Sequence, residues 1–196
     1  MRPIVIGECL RALAAKALLK ATDTGELEQL HPLQLGGHAI KGIHTAIFTV
    51  RSWVNSMMTQ GSILLKVDLR NAFNSIRRNE CLKELAHRWP SLFPWCQWML
   101  ASESWLWWNE KQFLCKDGVQ QGDPLAPVLF ALTLHRAVET LDSIPDLRQL
   151  WYLDDGILFG SPQTILAAVE CLEINFEKCQ LYGHPYLTSQ CMNYGN

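Results

Sequence analysis

Three aspartates carry the chemistry that this sequence could do. Asp154 and Asp155 stand side by side in LWYLDDGILF (150–159), between two apolar runs, and Asp68 directly follows the apolar run ILLKV (63–67). Close carboxylates repel and raise one another's pKa unless a cation lies between them. Hard oxygen ligands with spare coordination positions suit Mg2+, which retains waters and binds substrate phosphates. Two such ions about 3.5–4 Å apart can clamp the attacking and leaving oxygens of a phosphoryl transfer. On its own, the Asp154-Asp155 pair is better read as a hairpin tip whose acids merely face water. The choice depends on whether the fold brings Asp68 alongside.

The elements that would have to do this can be read from periodicity. ILLKV is a short run with β-branched residues, which predicts a buried strand ended by Asp68. QLWYL (149–153) and GILFG (156–160) predict a hairpin, with Asp155-Gly156 as its turn signal. Helical spacing predicts helices over 8–21, 44–58, 74–89 (stopped by Pro90) and 162–179. A further helix is predicted within GDPLAPVLFALTLHRAVETL (122–141), with Asp123 as N-cap, Pro124 at its first helical position, and Leu125, Val128, Leu129, Leu132 and Leu141 facing inward. SWLWWNEKQFLCKDG (104–118) predicts a second hairpin with Asn109-Glu110-Lys111 at its tip. Its tryptophans could form sheet core or stack on bases. In the second half the order is β-α-hairpin-α-β-β-α, which predicts an α+β fold with an antiparallel sheet, helices on one face, near the split β-α-β plan.

Composition sets bounds on these expectations. With 196 residues and 48% hydrophobic content the chain can bury a sizeable core. A net charge of −2 gives no global basic field, although a basic cleft can exist on a neutral protein. Seven cysteines without C-x-x-C or zinc-finger spacing predict reduced thiols in an intracellular protein. No apolar run approaches the roughly 18–20 residues of a membrane span. The basic, amphipathic start reads as an ordinary helix because of Glu8 and its regular spacing.

Three segments in order, VDLRNAF (67–73), GVQQGDPLAPVLF (118–130) and YLDD (152–155), resemble the reverse transcriptases. QGDPLAP looks like the branch of non-long-terminal-repeat retrotransposons and group II introns, and RPI and PLQLGG…KG upstream resemble that branch's finger segments. The resemblance implies a polymerase palm over 61–196, a partial helical fingers region over 1–60, and no thumb. It implies RNA-directed DNA synthesis with two Mg2+ ions, which Mn2+ could replace, and an RNA template, a DNA primer and deoxynucleoside triphosphates as partners.

Residue by residue, Asp68 and Asp154 resemble the main metal ligands, Asp155 the adjacent acid, and Leu69 a carbonyl donor to the metal. Phe73 matches the aromatic gate against a ribose 2′-hydroxyl, with a core phenylalanine as its alternative. Gln121 and Gly122 resemble residues lining the incoming nucleotide. Arg2 resembles a finger residue on the triphosphate, with a surface arginine as its alternative. Lys66 alternates out of its strand and reads as structural. An RNA-directed RNA polymerase would carry a second aspartate where Phe73 stands and Ser-Gly in place of Gln121-Gly122. Gln190 stands where the family commonly has a lysine, and glutamine cannot donate a proton as an ammonium can. A truncated remnant that retains the fold without catalysis is the second expectation.

Overall fold

The computed structural model describes residues 7–22, 28, 30, 32–36, 41–57, 59, 61–69, 71–178 and 185–186. Helix α1 (Cys9–Ala21) starts one residue later than its spacing implies, because Glu8 is its cap: the Glu8 carboxylate accepts from the Arg11 N–H at 3.2 Å. Helix α2 spans Gly42–Met57. Strand β1 (Ile63–Leu69) runs through Asp68 rather than ending at it. The predicted helix over 74–89 is two helices, α3 (Ala72–Ser75) and α4 (Arg78–Arg88). Ile76 and Arg77 between them are extended, and Ile76 is fully buried. Burial of Ile76 overrides the helical period there.

A 3-10 turn at Pro90–Leu92 leads into α5 (Phe93–Leu100), an element that the sequence pattern did not reveal. The hairpin of β2 (Ser104–Trp108) and β3 (Lys111–Cys115) turns on two residues, Asn109 and Glu110, with Asn109 at φ 52°. Lys111 pairs with Trp108 and belongs to the strand. Helix α6 (Ala126–Val138) begins after Asp123, not at it. The Asp123 carboxylate caps the preceding turn by accepting from the Leu125 N–H at 2.9 Å, and it also meets Arg11 at 2.9 Å. A 3-10 segment (Glu139–Ser143), β4 (Arg148–Tyr152), β5 (Asp155–Gly160), α7 (Pro162–Lys178) and the two-residue β6 (Pro185–Tyr186) complete the order.

The main sheet has the order β4-β5-β1-β6 and all its pairings are antiparallel. Alternation along β1 puts Leu65, Val67 and Leu69 on one face, where they are buried, and Leu64, Lys66 and Asp68 on the other. The register Leu65↔Leu158 and Gln149↔Leu158 carries the same face across the sheet. That face packs against α6 and α7, whose Leu129, Leu132, Ile165, Ala168 and Leu172 are buried in the same core. Helix α6 is buried almost all round, so it is a central core helix rather than an amphipathic cover. On the opposite face Trp53 of α2 stacks on Phe159, with ring centroids 6.3 Å apart.

Trp105, Trp107 and Trp108 are not sheet core. They are 60%, 67% and 68% exposed, because β2 and β3 form a separate two-stranded ribbon that the main sheet does not cover.

Candidate active site

Asp68 and Asp155 are direct cross-strand partners at one end of the β1–β5 ladder. Opposed residues on antiparallel strands point to the same face, so both lie on the side away from the α6–α7 core. Tyr152 pairs with Asp155, so the turn joining β4 to β5 is Leu153-Asp154, not Asp155-Gly156. Asp154 is therefore the last residue of a two-residue loop, and the Leu69 N–H donates to its carbonyl at 3.3 Å. That bond fastens the loop to the end of β1. Gly156 serves packing instead of turning: a Cβ there would lie 2.5 Å from the Trp151 ring.

Backbone pairing alone thus brings Asp68, Asp154 and Asp155 to one end of the two central strands. Asp68 and Asp154 are half-buried and Asp155 is exposed. The Asp155 carboxylate meets the Lys66 ammonium at 3.2 Å, with both side chains about half exposed. Lys66, two residues before Asp68, shares its face and reaches diagonally across the ladder. Among the described residues, no group of three or more His, Cys, Asp or Glu side chains is set to hold a metal ion. The donor chemistry nonetheless fits a hard divalent cation: carboxylate oxygens on neighbouring strand ends and the carbonyl of Leu69 are the oxygen ligands Mg2+ takes.

The loop that carries Gln121 and Gly122 is tied to the segment following Asp68. The Val119 N–H donates to the Phe73 carbonyl and the Gly118 N–H to the Ile76 carbonyl, each at 2.8 Å. Gly118 sits at φ 79°, and a Cβ there would come within 2.5 Å of the Asn74 carbonyl oxygen. Past this anchor Gln121 is half-buried and Gly122, at φ 114°, is exposed. Phe73 is only 9% exposed and its ring stacks on Phe130, with centroids 4.7 Å apart. Arg2 and Gln190 lie outside the described residues.

The pattern of the sequence did not mark Gln34 or Leu153. Gln34 is fully buried, and its side-chain amide faces the backbone of Leu153. The available signal was the alternation Leu33-Gln34-Leu35: two apolar residues flank an amide, as in a short strand. Residues 33–35 do pair in parallel with β4 at Trp151, through Leu35 N–H to Trp151 carbonyl (2.8 Å) and Trp151 N–H to Leu33 carbonyl (2.7 Å).

The fold is similar to that of Candida telomerases. Apo telomerase from Candida tropicalis matches with a TM-score of 0.59 at 13% identity, over 89% of this chain and 35% of the other. The same enzyme truncated from its C-terminal domain gives 0.58 at 15% identity, over 88% and 38%. Telomerase from Candida albicans in complex with a fragment of telomeric RNA gives 0.56 at 10% identity, over 89% and 33%. The chain thus spans about a third of the length of these telomerases, and at such identities the likeness is one of fold. No curated protein matches its sequence. The family model of the reverse transcriptases (RNA-dependent DNA polymerases) matches residues 1–185, and the three acidic and glycine-rich segments fall within that span, so the chain belongs to the reverse transcriptase family.

Proposed function

We propose that this chain is the fingers and palm portion of an RNA-directed DNA polymerase of the retrotransposon and group II intron branch. In this reading 1–60 is the partial fingers region and 61–196 the palm. The observation that carries it is the pairing of Asp68 with Asp155 across two strands, beside Asp154 in the connecting turn, in a chain of this family.

The reaction joins a primer 3′-hydroxyl to the α-phosphorus of a deoxynucleoside triphosphate. The new P–O bond forms as the bond to pyrophosphate breaks, and the hydroxyl proton passes to water. Asp68, Asp154 and the Leu69 carbonyl would hold Mg2+ or Mn2+, with Asp155 adjacent. When bound, the metal supplies Lewis-acid polarisation and charge neutralisation at the phosphates. Phe73, held by its stack on Phe130, would form the stiff floor that excludes a 2′-hydroxyl. Gly122 would let the incoming nucleotide approach the backbone closely, and Gln121 beside it would line the same nucleotide. Arg2 would bind triphosphate oxygens. The RNA template and DNA primer would lie across the open face of the sheet.

A second reading, a folded remnant that binds metal or nucleic acid weakly, is favoured by Gln190, which stands where the family commonly has a lysine. Primer extension on an RNA template separates the two. The polymerase reading expects Mg2+- or Mn2+-dependent incorporation of at least one deoxynucleotide, lowered about 100-fold or more in Asp154→Asn. A folded wild-type chain that incorporates nothing under either metal overturns it in favour of the remnant.

A further inference from the structure

We propose that Gln34 is a positioning residue for the acidic turn, acting through Leu153. This rests on the polymerase reading for its purpose and on the following geometry for its content.

Leu153 is the first of the two residues in the β4–β5 loop and has a φ of 53°. A branched side chain is disfavoured there, and glycine is the usual choice. The first loop residue also lies beyond the strand ladder, so its N–H and carbonyl need partners from elsewhere. One side chain provides both. The Leu153 N–H donates to Gln34 Oε1 at 2.7 Å, and Gln34 Nε2 donates to the Leu153 carbonyl at 3.2 Å. The amide is itself aimed by a third bond, in which the Gly36 N–H donates to Gln34 Oε1 at 2.9 Å.

Gly36 is needed for the fit: a Cβ there would lie 2.5 Å from the Leu153 nitrogen and 2.6 Å from its Cγ. Gln34 is fully buried and its backbone is fixed by the parallel pairing to β4. A side-chain amide is the group suited to this task, since it presents one acceptor and one donor side by side. An acid or a lysine offers only half of it.

Asp154 follows Leu153 directly and Asp155 follows Asp154, so a rotation at Leu153 swings both carboxylates. Backbone clamps of this kind act on the reacting atoms only through the residues they orient. Outer-shell partners of metal ligands typically matter by about 10–100-fold in affinity or activity.

The test compares wild type, Gln34→Ala, Leu153→Gly and the double variant, with Gln34→Met standing in should the alanine variant not fold. Three quantities are read: Mn2+ affinity by electron paramagnetic resonance, exchange of the residue-153 amide, and kcat and KM for single-nucleotide incorporation. The expectation for Gln34→Ala is an unchanged circular dichroism spectrum, faster amide exchange, Mn2+ affinity weakened about 10-fold or more, and a loss in kcat rather than KM. Adding Leu153→Gly should recover most of the loss, because glycine accepts the positive φ without a clamp. Wild-type amide exchange or wild-type Mn2+ affinity in Gln34→Ala overturns the proposal. So does a loss that Leu153→Gly fails to recover, which marks a purely structural role. A wild-type chain that incorporates no nucleotide overturns the polymerase reading instead, while the Mn2+ and exchange arms still decide the role of Gln34.

Discussion

Nε of Arg78 donates to the carbonyl of Gly118 at 3.1 Å, from a side chain that is almost completely buried. The same guanidinium reaches the Ser102 carbonyl at 2.7 Å and the Cys115 carbonyl at 3.3 Å. One fork of donors from α4 therefore holds both ends of the β2–β3 hairpin and the start of the loop that carries Gln121. Lysine cannot span three carbonyls in this way. Arg78→Ala is expected to cost about 3 kcal/mol or more, since bonds to charged groups contribute roughly 1.5–3 kcal/mol each and the carbonyls would lose their partner. Arg78→Lys should recover only part. Urea denaturation of the two variants checks this.

Two glycines at positive φ make a controlled comparison. At Gly118 (φ 79°) an added Cβ meets the Asn74 backbone, whereas at Gly61 (φ 97°) it meets nothing within 4 Å. Gly61→Ala should cost only the conformational strain, about 1–2 kcal/mol. Gly118→Ala should cost clearly more, because the clash is with backbone that cannot swing away. The difference between the two melting temperatures reads the clash alone.

The thiols should separate by burial. Burial pushes the pKa of Cys81 and of Cys96 up to about 12 each, so at neutral pH neither offers a reactive thiolate. Cys9 is exposed. Iodoacetamide followed by peptide mapping should mark Cys9 quickly and leave Cys81 and Cys96 unmodified until denaturant is added. Early modification of either buried thiol would contradict this packing.

His135 gives a sign for the pH dependence. Burial is the main cause that lowers its pKa below the ordinary 6.5, partly countered by Glu139, whose carboxylate lies 3.5 Å from Nε2. The unfolded chain then takes up a proton near pH 6.5 that the folded chain refuses until lower pH. Stability from this group is present above pH 6.5 and is lost as pH falls toward the lowered folded value. Thermal melts between pH 7.5 and 5 should show a decline that is shallower in His135→Gln.

Most of the architecture was legible in the sequence because burial and periodicity agree there. β1, β5, α1, α2 and α7 follow their patterns to within a residue or two. The split between α3 and α4 was not legible, because the tertiary burial of Ile76 competes with a helical period that runs straight through it. The exposure of Trp105, Trp107 and Trp108 was not legible either, since composition cannot tell a strand in the main sheet from one in a separate ribbon. At the site, the sequence marked Asp68 and the acidic pair but left their meeting conditional on the two strands being neighbours, which the β1–β5 pairing supplies, and it did not mark the true turn. Asp155-Gly156 is the stronger turn signal by residue type, and the chain instead turns at Leu153-Asp154 because Trp151 needs the space that Gly156 leaves. The contribution of Gln34 depends on contacts across most of the chain, which local pattern does not encode.

The bonds between Gln34 and Leu153 link positions 119 residues apart, and this has a consequence for how the protein is made. The β4–β5 hairpin is local and can form in microseconds. On the proposed clamp, its loop reaches its final shape only when residues 33–36 are docked on it. During synthesis at roughly 5–20 residues per second, the glutamine waits about 6–24 s for the turn it will hold. Over that interval a short apolar segment must stay free of other partners. On the proposed clamp, the acidic turn is therefore among the last parts of the molecule to be set, once residues 33–36 and the later half of the chain have met.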